Sequence, residues 1–117
     1  MENPSGKGEN GEQELEKLVK EYQLLEEQIR GFTLQLQDLQ LQKNEAENAM
    51  SEVEKATGKV YLTIGGIIVE TDKEKALSNL KEKSESLDLR IQMINKQLSS
   101  LKSREEAIKK KLSGMQQ

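Results

Sequence analysis

Lys59-Val60-Tyr61-Leu62-Thr63-Ile64-Gly65-Gly66-Ile67-Ile68-Val69-Glu70-Thr71 is the stretch on which the fold turns. β-Branched and aliphatic residues flank a Gly-Gly pair. A two-residue primed turn needs positive φ at its centre, which glycine adopts without steric cost. The pattern predicts a β-hairpin with Ile64 opposite Ile67 and Leu62 opposite Val69. Side chains alternate across a strand. One face then carries Val60, Leu62, Ile64, Ile67 and Val69, and the other carries Tyr61, Thr63, Ile68 and Glu70.

Both flanks have a helical period. Upstream, seam residues fall at Leu15, Leu18, Tyr22, Leu25, Ile29, Phe32, Leu36, Leu39, Lys43, Ala46, Met50 and Val53. Downstream they fall at Leu77, Leu80, Ser84, Leu87, Ile91, Ile94, Leu98, Leu101, Glu105, Ile108, Leu112 and Met115. Spacing that alternates three and four over such a length is a heptad seam. The two seams mirror each other about Gly65. Leu15 pairs with Met115, Leu18 with Leu112, Tyr22 with Ile108, and so on to Val53 with Leu77. Each layer sets an a position against a d position, as an antiparallel coiled coil requires. Polar seam residues are staggered: Lys43 faces Leu87, Ser84 faces Ala46, and Glu105 faces Leu25. The register and the turn share one centre, so the helices pair within one chain. The expected fold class is mainly α, an antiparallel two-helix coiled coil with one β-hairpin between the helices.

The boundaries follow from local signals. Residues 1–11, rich in Gly and polar groups, read as a disordered tail. Asn10 is the expected N-cap of helix 1 over 12–57, with Gln13 in a weak capping box. Gly58 is the expected left-handed residue after it. The hairpin occupies 58–71. Thr71-Asp72-Lys73-Glu74 reads as a capping box opening helix 2 over 72–113. Lys109, Lys110 and Lys111 sit in its last turn, where cations are favoured. Ser113-Gly114 is the expected stop, with 114–117 as a tail.

Composition excludes several classes of function. The 117 residues set a single domain as the expectation, and only 3% are aromatic, too few for an ordinary compact core. There is no Cys and no His. Disulfides, thiolate zinc sites, Cys nucleophiles and His bases are therefore absent. The carboxylates lie on solvated helix faces without a convergent pocket, so no enzyme, cofactor or metal is expected. Gly65-Gly66 is no phosphate loop, since no Lys-Ser or Lys-Thr follows it. The longest apolar run, Ile67-Ile68-Val69, cannot span a bilayer. The polar N-terminus carries no signal peptide pattern, and the lack of Cys suits a reducing, cytoplasmic setting. Net charge is −3 with both signs interleaved, which argues against binding to nucleic acid or membrane.

A lone two-stranded hairpin is marginal in water, and its free edges invite pairing with another chain. The face of Val60, Leu62, Ile64, Ile67 and Val69 is accordingly the expected oligomerisation surface. The alternative is that the hairpin folds back to cap the helices.

The stretch from Val60 through Gly65-Gly66 to Thr71-Asp72-Lys73-Glu74-Lys75-Ala76 resembles the hairpin segment of prefoldin beta subunits. Leu80-Lys81-Glu82-Lys83 and the Leu87-x-Leu89-Arg90 step are similar to that family too, and the resemblance covers roughly residues 56–112. Alpha-class prefoldin subunits insert two hairpins, whereas this chain has room for one, so the resemblance is to the beta class of archaeal type. Gly8-Glu9-Asn10-Gly11 departs from the Pro- and Gln-rich opening of many archaeal members. The resemblance implies a hetero-hexamer of two alpha-class and four beta-class subunits, with the hairpins in a central double barrel. It further implies coiled-coil arms whose tips hold unfolded protein clients and pass them to a group II chaperonin without nucleotide.

The residues themselves support a client-binding tip at Leu15, Leu18, Val19, Tyr22, Ile108, Leu112 and Met115. A terminal layer lacks a neighbour on one side and frays. Glu105 opposite Leu25 weakens the next layer. Tyr22 has the amphipathic ring suited to a wet, promiscuous surface. The same residues could simply finish the coiled coil. Leu41 and Leu89 occupy f positions at one level, with Leu34 one heptad from Leu41, and could touch a neighbouring arm. A coiled-coil tether or adaptor without client-holding activity is the competing reading. A nucleic-acid-binding arm would need a basic stripe, which is missing.

Overall fold

A computed structural model describes the chain over residues 4–115, with side chains over residues 11–115. Its elements are α1 (Pro4–Lys55), β1 (Val60–Ile64), β2 (Ile67–Thr71) and α2 (Lys73–Met115). β1 and β2 form a two-stranded antiparallel sheet.

α1 starts at Pro4, ahead of the expected cap at Asn10, and runs through most of the expected tail. Proline suits a first helical turn, because its φ is already helical and its missing N–H would have had no partner there. Residues 1–3 and 116–117 of the expected tails lie outside the described residues. At its other end α1 stops at Lys55. The N–H of Ala56 donates to the carbonyl of Val53 at 3.1 Å, a tighter closure than the α-helical bond. Lys73 Nζ donates to the carbonyl of Glu54 at 2.5 Å. These bonds occupy orphan carbonyls of the last turn, so a left-handed cap is not required. Gly58 accordingly lacks the expected positive φ; among the described residues only Gly65 and Gly66 have it.

The start of α2 differs from expectation by one residue. Asp72 Oδ1 accepts the N–H of Lys75 at 2.8 Å, and the Asp72 carbonyl accepts the N–H of Ala76 at 3.0 Å. Asp72 is therefore the N-cap. Thr71 is instead the last residue of β2, paired with Val60. The strand ladder holds Thr71, and the Thr71–Glu74 box does not form. α2 continues through Ser113 and Gly114 to Met115. Glycine weakens a helix interior without terminating it.

The chain comprises two compact units, Met1–Leu34 with Asn95–Gln117, and Gln35–Ile94. In the first, Leu18, Leu25 and Ile108 form a buried cluster against which Tyr22, Leu101 and Leu112 pack. This mixing of the two helices matches the expected layers Leu18–Leu112 and Tyr22–Ile108. Leu98 is buried in the same unit and its layer partner Phe32 is half-buried.

In the second unit Leu39, Ala46, Ser84 and Leu87 are buried along the seam. The Ala46–Ser84 layer is small on both sides. Lys43 keeps its stem at the seam while its ammonium reaches Asp88 Oδ1 at 2.5 Å and Glu47 Oε1 at 3.8 Å. A lysine is tolerated at such a position because its aliphatic stem packs while the head stays solvated. The hydrogen bond to Asp88, assisted by the charges of Asp88 and Glu47, holds the Lys43 pKa above its ordinary value against a smaller desolvation effect. Ala76 is fully buried and Val60 is buried. Sequence periodicity assigned Ala76 no role. It lies in the first turn of α2, where a small side chain is completely enclosed.

Candidate functional site

The hairpin register is the expected one: Ile64 pairs with Ile67, Leu62 with Val69 and Val60 with Thr71. Gly65 and Gly66 have φ of 54° and 84°, the geometry of a type I′ turn. Lys59 Nζ lies 3.3 Å from Glu70 Oε1 across the open end. Both side chains are exposed, so the pair adds little stability.

Exposure rises from root to turn. Val60 is buried and Leu62 half-buried, while Ile64 is 58% and Ile67 67% exposed. Leu62, Thr63 and Ile64 line a shallow groove with Asn79, Leu80 and Lys83 of α2. β1 thus lies beside α2 as far as the turn at Gly65, although Val60 is the only residue of the hairpin that is buried. Val69 on β2 remains 42% exposed.

The opposite face was not among the expected site residues. Tyr61 is 57% exposed and Ile68 71%. Thr63 pairs with Ile68 and Tyr61 with Glu70 on that face. The signal was present in the unbroken run Ile67-Ile68-Val69. A strand wetted on one face alternates, whereas a continuous apolar run belongs to a strand covered on both faces. The hairpin therefore offers aliphatic surface on both sides and unpaired backbone groups along both edges. Its chemistry is that of association: ladder hydrogen bonds along an edge and apolar burial on the faces.

The residues expected at the tip divide into two groups. Leu15, Val19 and Met115 are exposed. Leu18 and Ile108 are buried, and Tyr22 and Leu112 are half-buried against their cluster. The second group makes the seam cohere, and it becomes available only where the helices part. Leu24, unmarked by the heptad reading, is also exposed. Leu34, Leu41 and Leu89 are exposed as their f positions require, and Met93 continues the Leu89 surface one turn on. An f position points away from the seam, so Leu41 and Leu89 emerge on the outer sides of their own helices.

One short hairpin between two seam-forming helices defines a class of coiled-coil subunit, and comparison with known proteins agrees. Residues 16–117 match the family model described as prefoldin subunit. The prefoldin beta subunit of Pyrococcus furiosus is 43% identical over 74 residues, covering 62% of this chain and 63% of that one. That of Pyrococcus abyssi is 36% identical over 89 residues, covering 74% and 76%. The crystal structure of the prefoldin beta subunit from Thermococcus strain KS-1 superimposes with a TM-score of 0.81 at 28% identity, covering 86% of this chain and 90% of that one. The chain belongs to the prefoldin subunit family. Its relatives and its single hairpin place it in the beta class.

Proposed function

We propose that the chain is a subunit of an ATP-independent molecular chaperone. It joins alpha-class prefoldin subunits and further beta subunits in a hetero-hexamer, holds unfolded proteins at its coiled-coil tip, and delivers them to a group II chaperonin in the cytoplasm. Prefoldin is a chaperone family rather than an enzyme family. The observation that carries the reading is the hairpin, whose Ile64, Ile67, Ile68 and Val69 are exposed around free strand edges. Such a surface persists in water only when another chain covers it.

Of the face of Val60, Leu62, Ile64, Ile67 and Val69, assembly uses chiefly the exposed Ile64, Ile67 and Val69, extended by Tyr61 and Ile68, while buried Val60 and half-buried Leu62 support them from within the chain. Client holding uses Leu15, Val19 and Met115 at the surface, joined by Leu18, Tyr22, Ile108 and Leu112 where the outer turns part. Several tips acting together multiply individually weak apolar contacts.

The test removes the tip and leaves the hairpin. Truncation before Leu25 and after Glu105 deletes the three distal layers. The hexamer is expected to form, while suppression of aggregation of a denatured test protein falls sharply at equal hexamer concentration. Equal suppression by both forms refutes the tip as client site. Co-purification from the native cell is expected to yield one species containing an alpha-class subunit, and a homodimer there refutes the assembly.

A further inference from the structure

Gly31 lies in the interior of α1 and nothing in the packing calls for a glycine there. A Cβ at this position meets no atom within 4 Å, and its φ is not in the left-handed region. Glycine without such a need loosens a helix, because its backbone has more freedom to regain on opening. One turn contains a second weakening. Thr33 Oγ1 donates to the carbonyl of Ile29 at 2.7 Å. In an α-helix that carbonyl is also the acceptor for the N–H of Thr33. Two donors share one acceptor, and back-bonding of this kind bends helices. The seam residues of the turn, Ile29 and Phe32, are only half-buried, whereas Leu25 on the tip side is 3% exposed.

We infer that Ile29–Thr33 is a built-in soft turn at which α1 yields, so that its segment up to Leu25 parts from α2 while the turn absorbs the bend. Parting there uncovers Leu18, Tyr22, Leu25 and Ile108 as one apolar surface. The soft turn stands on the helix geometry alone; its use in holding clients rests on the function proposed above.

The chain has no cysteine, so single thiols report opening cleanly. Leu25→Cys places a probe on the tip side of the turn and Leu39→Cys one on the other side. Tyr22→Cys, at a half-buried site, replaces Leu25→Cys if the latter perturbs folding. Labelling by a thiol reagent is followed in the full chain with and without Gly31→Ala. The alanine is expected to slow labelling at the tip-side probe about fivefold, the helix-propensity difference between the two residues. Thr33→Val, which frees the Ile29 carbonyl, is expected to slow it further. Labelling of Leu39→Cys is expected to stay unchanged. Unchanged labelling on the tip side, or equal slowing at both probes, overturns the soft turn. Aggregation suppression separates the two ideas. A loss that accompanies slower labelling supports the client-holding tip, whereas slower labelling with full suppression upholds the turn and refutes that tip.

Discussion

Replacing Ile68 with Asp tests whether both faces of the hairpin are covered in the assembly. Ile68 is 71% exposed in the isolated chain, so an aspartate there keeps most of its hydration. The free subunit should retain its helix content by circular dichroism. In the assembled state the position loses its water. Full burial of an isoleucine is worth about 1.5–3 kcal/mol, so the exposed portion contributes roughly 1–2 kcal/mol per site. An unpaired carboxylate in the same place adds a desolvation cost of about 2 kcal/mol or more. A combined loss of about 4 kcal/mol weakens association on the order of a thousandfold at each contact. Sedimentation velocity of the subunit mixed with its partners reads this directly as a shift to free subunits. Ile68→Thr, which keeps the β-branch and removes less apolar surface, should fall between wild type and Asp. Ile67→Asp, on the opposite face, should disrupt assembly equally. If Ile68→Asp assembles like wild type while Ile67→Asp does not, the second face is solvated and the reading of the unbroken apolar run fails. If both assemble, the hairpin is not the interface.

Three further outcomes follow from the seam and its ends. Ile29→Cys with Leu101→Cys should form an intramolecular disulfide, because facing layers bring the backbones within bridging range; preferential bridging of Ile29→Cys to Ile94→Cys or Ile108→Cys refutes the register. Lys43 has a folded-state pKa raised mainly by its hydrogen bond to Asp88, so its contribution to stability is fully present below the unfolded lysine pKa, near about 10.4, and is lost as pH rises through the higher folded value. Melting of Lys43→Met should therefore lack that alkaline loss, and identical alkaline profiles for the two proteins refute the link. Ala76 is fully buried in the first turn of α2, so Ala76→Leu should destabilise by about 1–3 kcal/mol in thermal or urea unfolding, and a neutral result means that its surroundings can make room for the larger side chain.

Two kinds of information shaped this protein at different levels. The amino-acid order by itself determined the seam and the turn. Heptad spacing acts over neighbouring turns of one helix, and Gly65-Gly66 dictates positive φ locally, so the residues from Leu18 to Leu112 and the pairing of Ile64 with Ile67 were legible without coordinates. What only the tertiary structure decided lies where elements meet. Thr71 and Asp72 both qualify as caps, and strand pairing with Val60 claimed Thr71 and left the cap to Asp72. Gly58 was free to be left-handed, but the bond from Ala56 and the reach of Lys73 closed the helix first. Ala76 and Val60 are buried although neither is a seam position, and no heptad periodicity encodes that burial. The seam residues of the tip carry one heptad pattern, yet the structure separates exposed Leu15 and Met115 from buried Leu18 and Ile108. A pattern records which residues are apolar, whereas the number of neighbours around each is set by where the packed layers end.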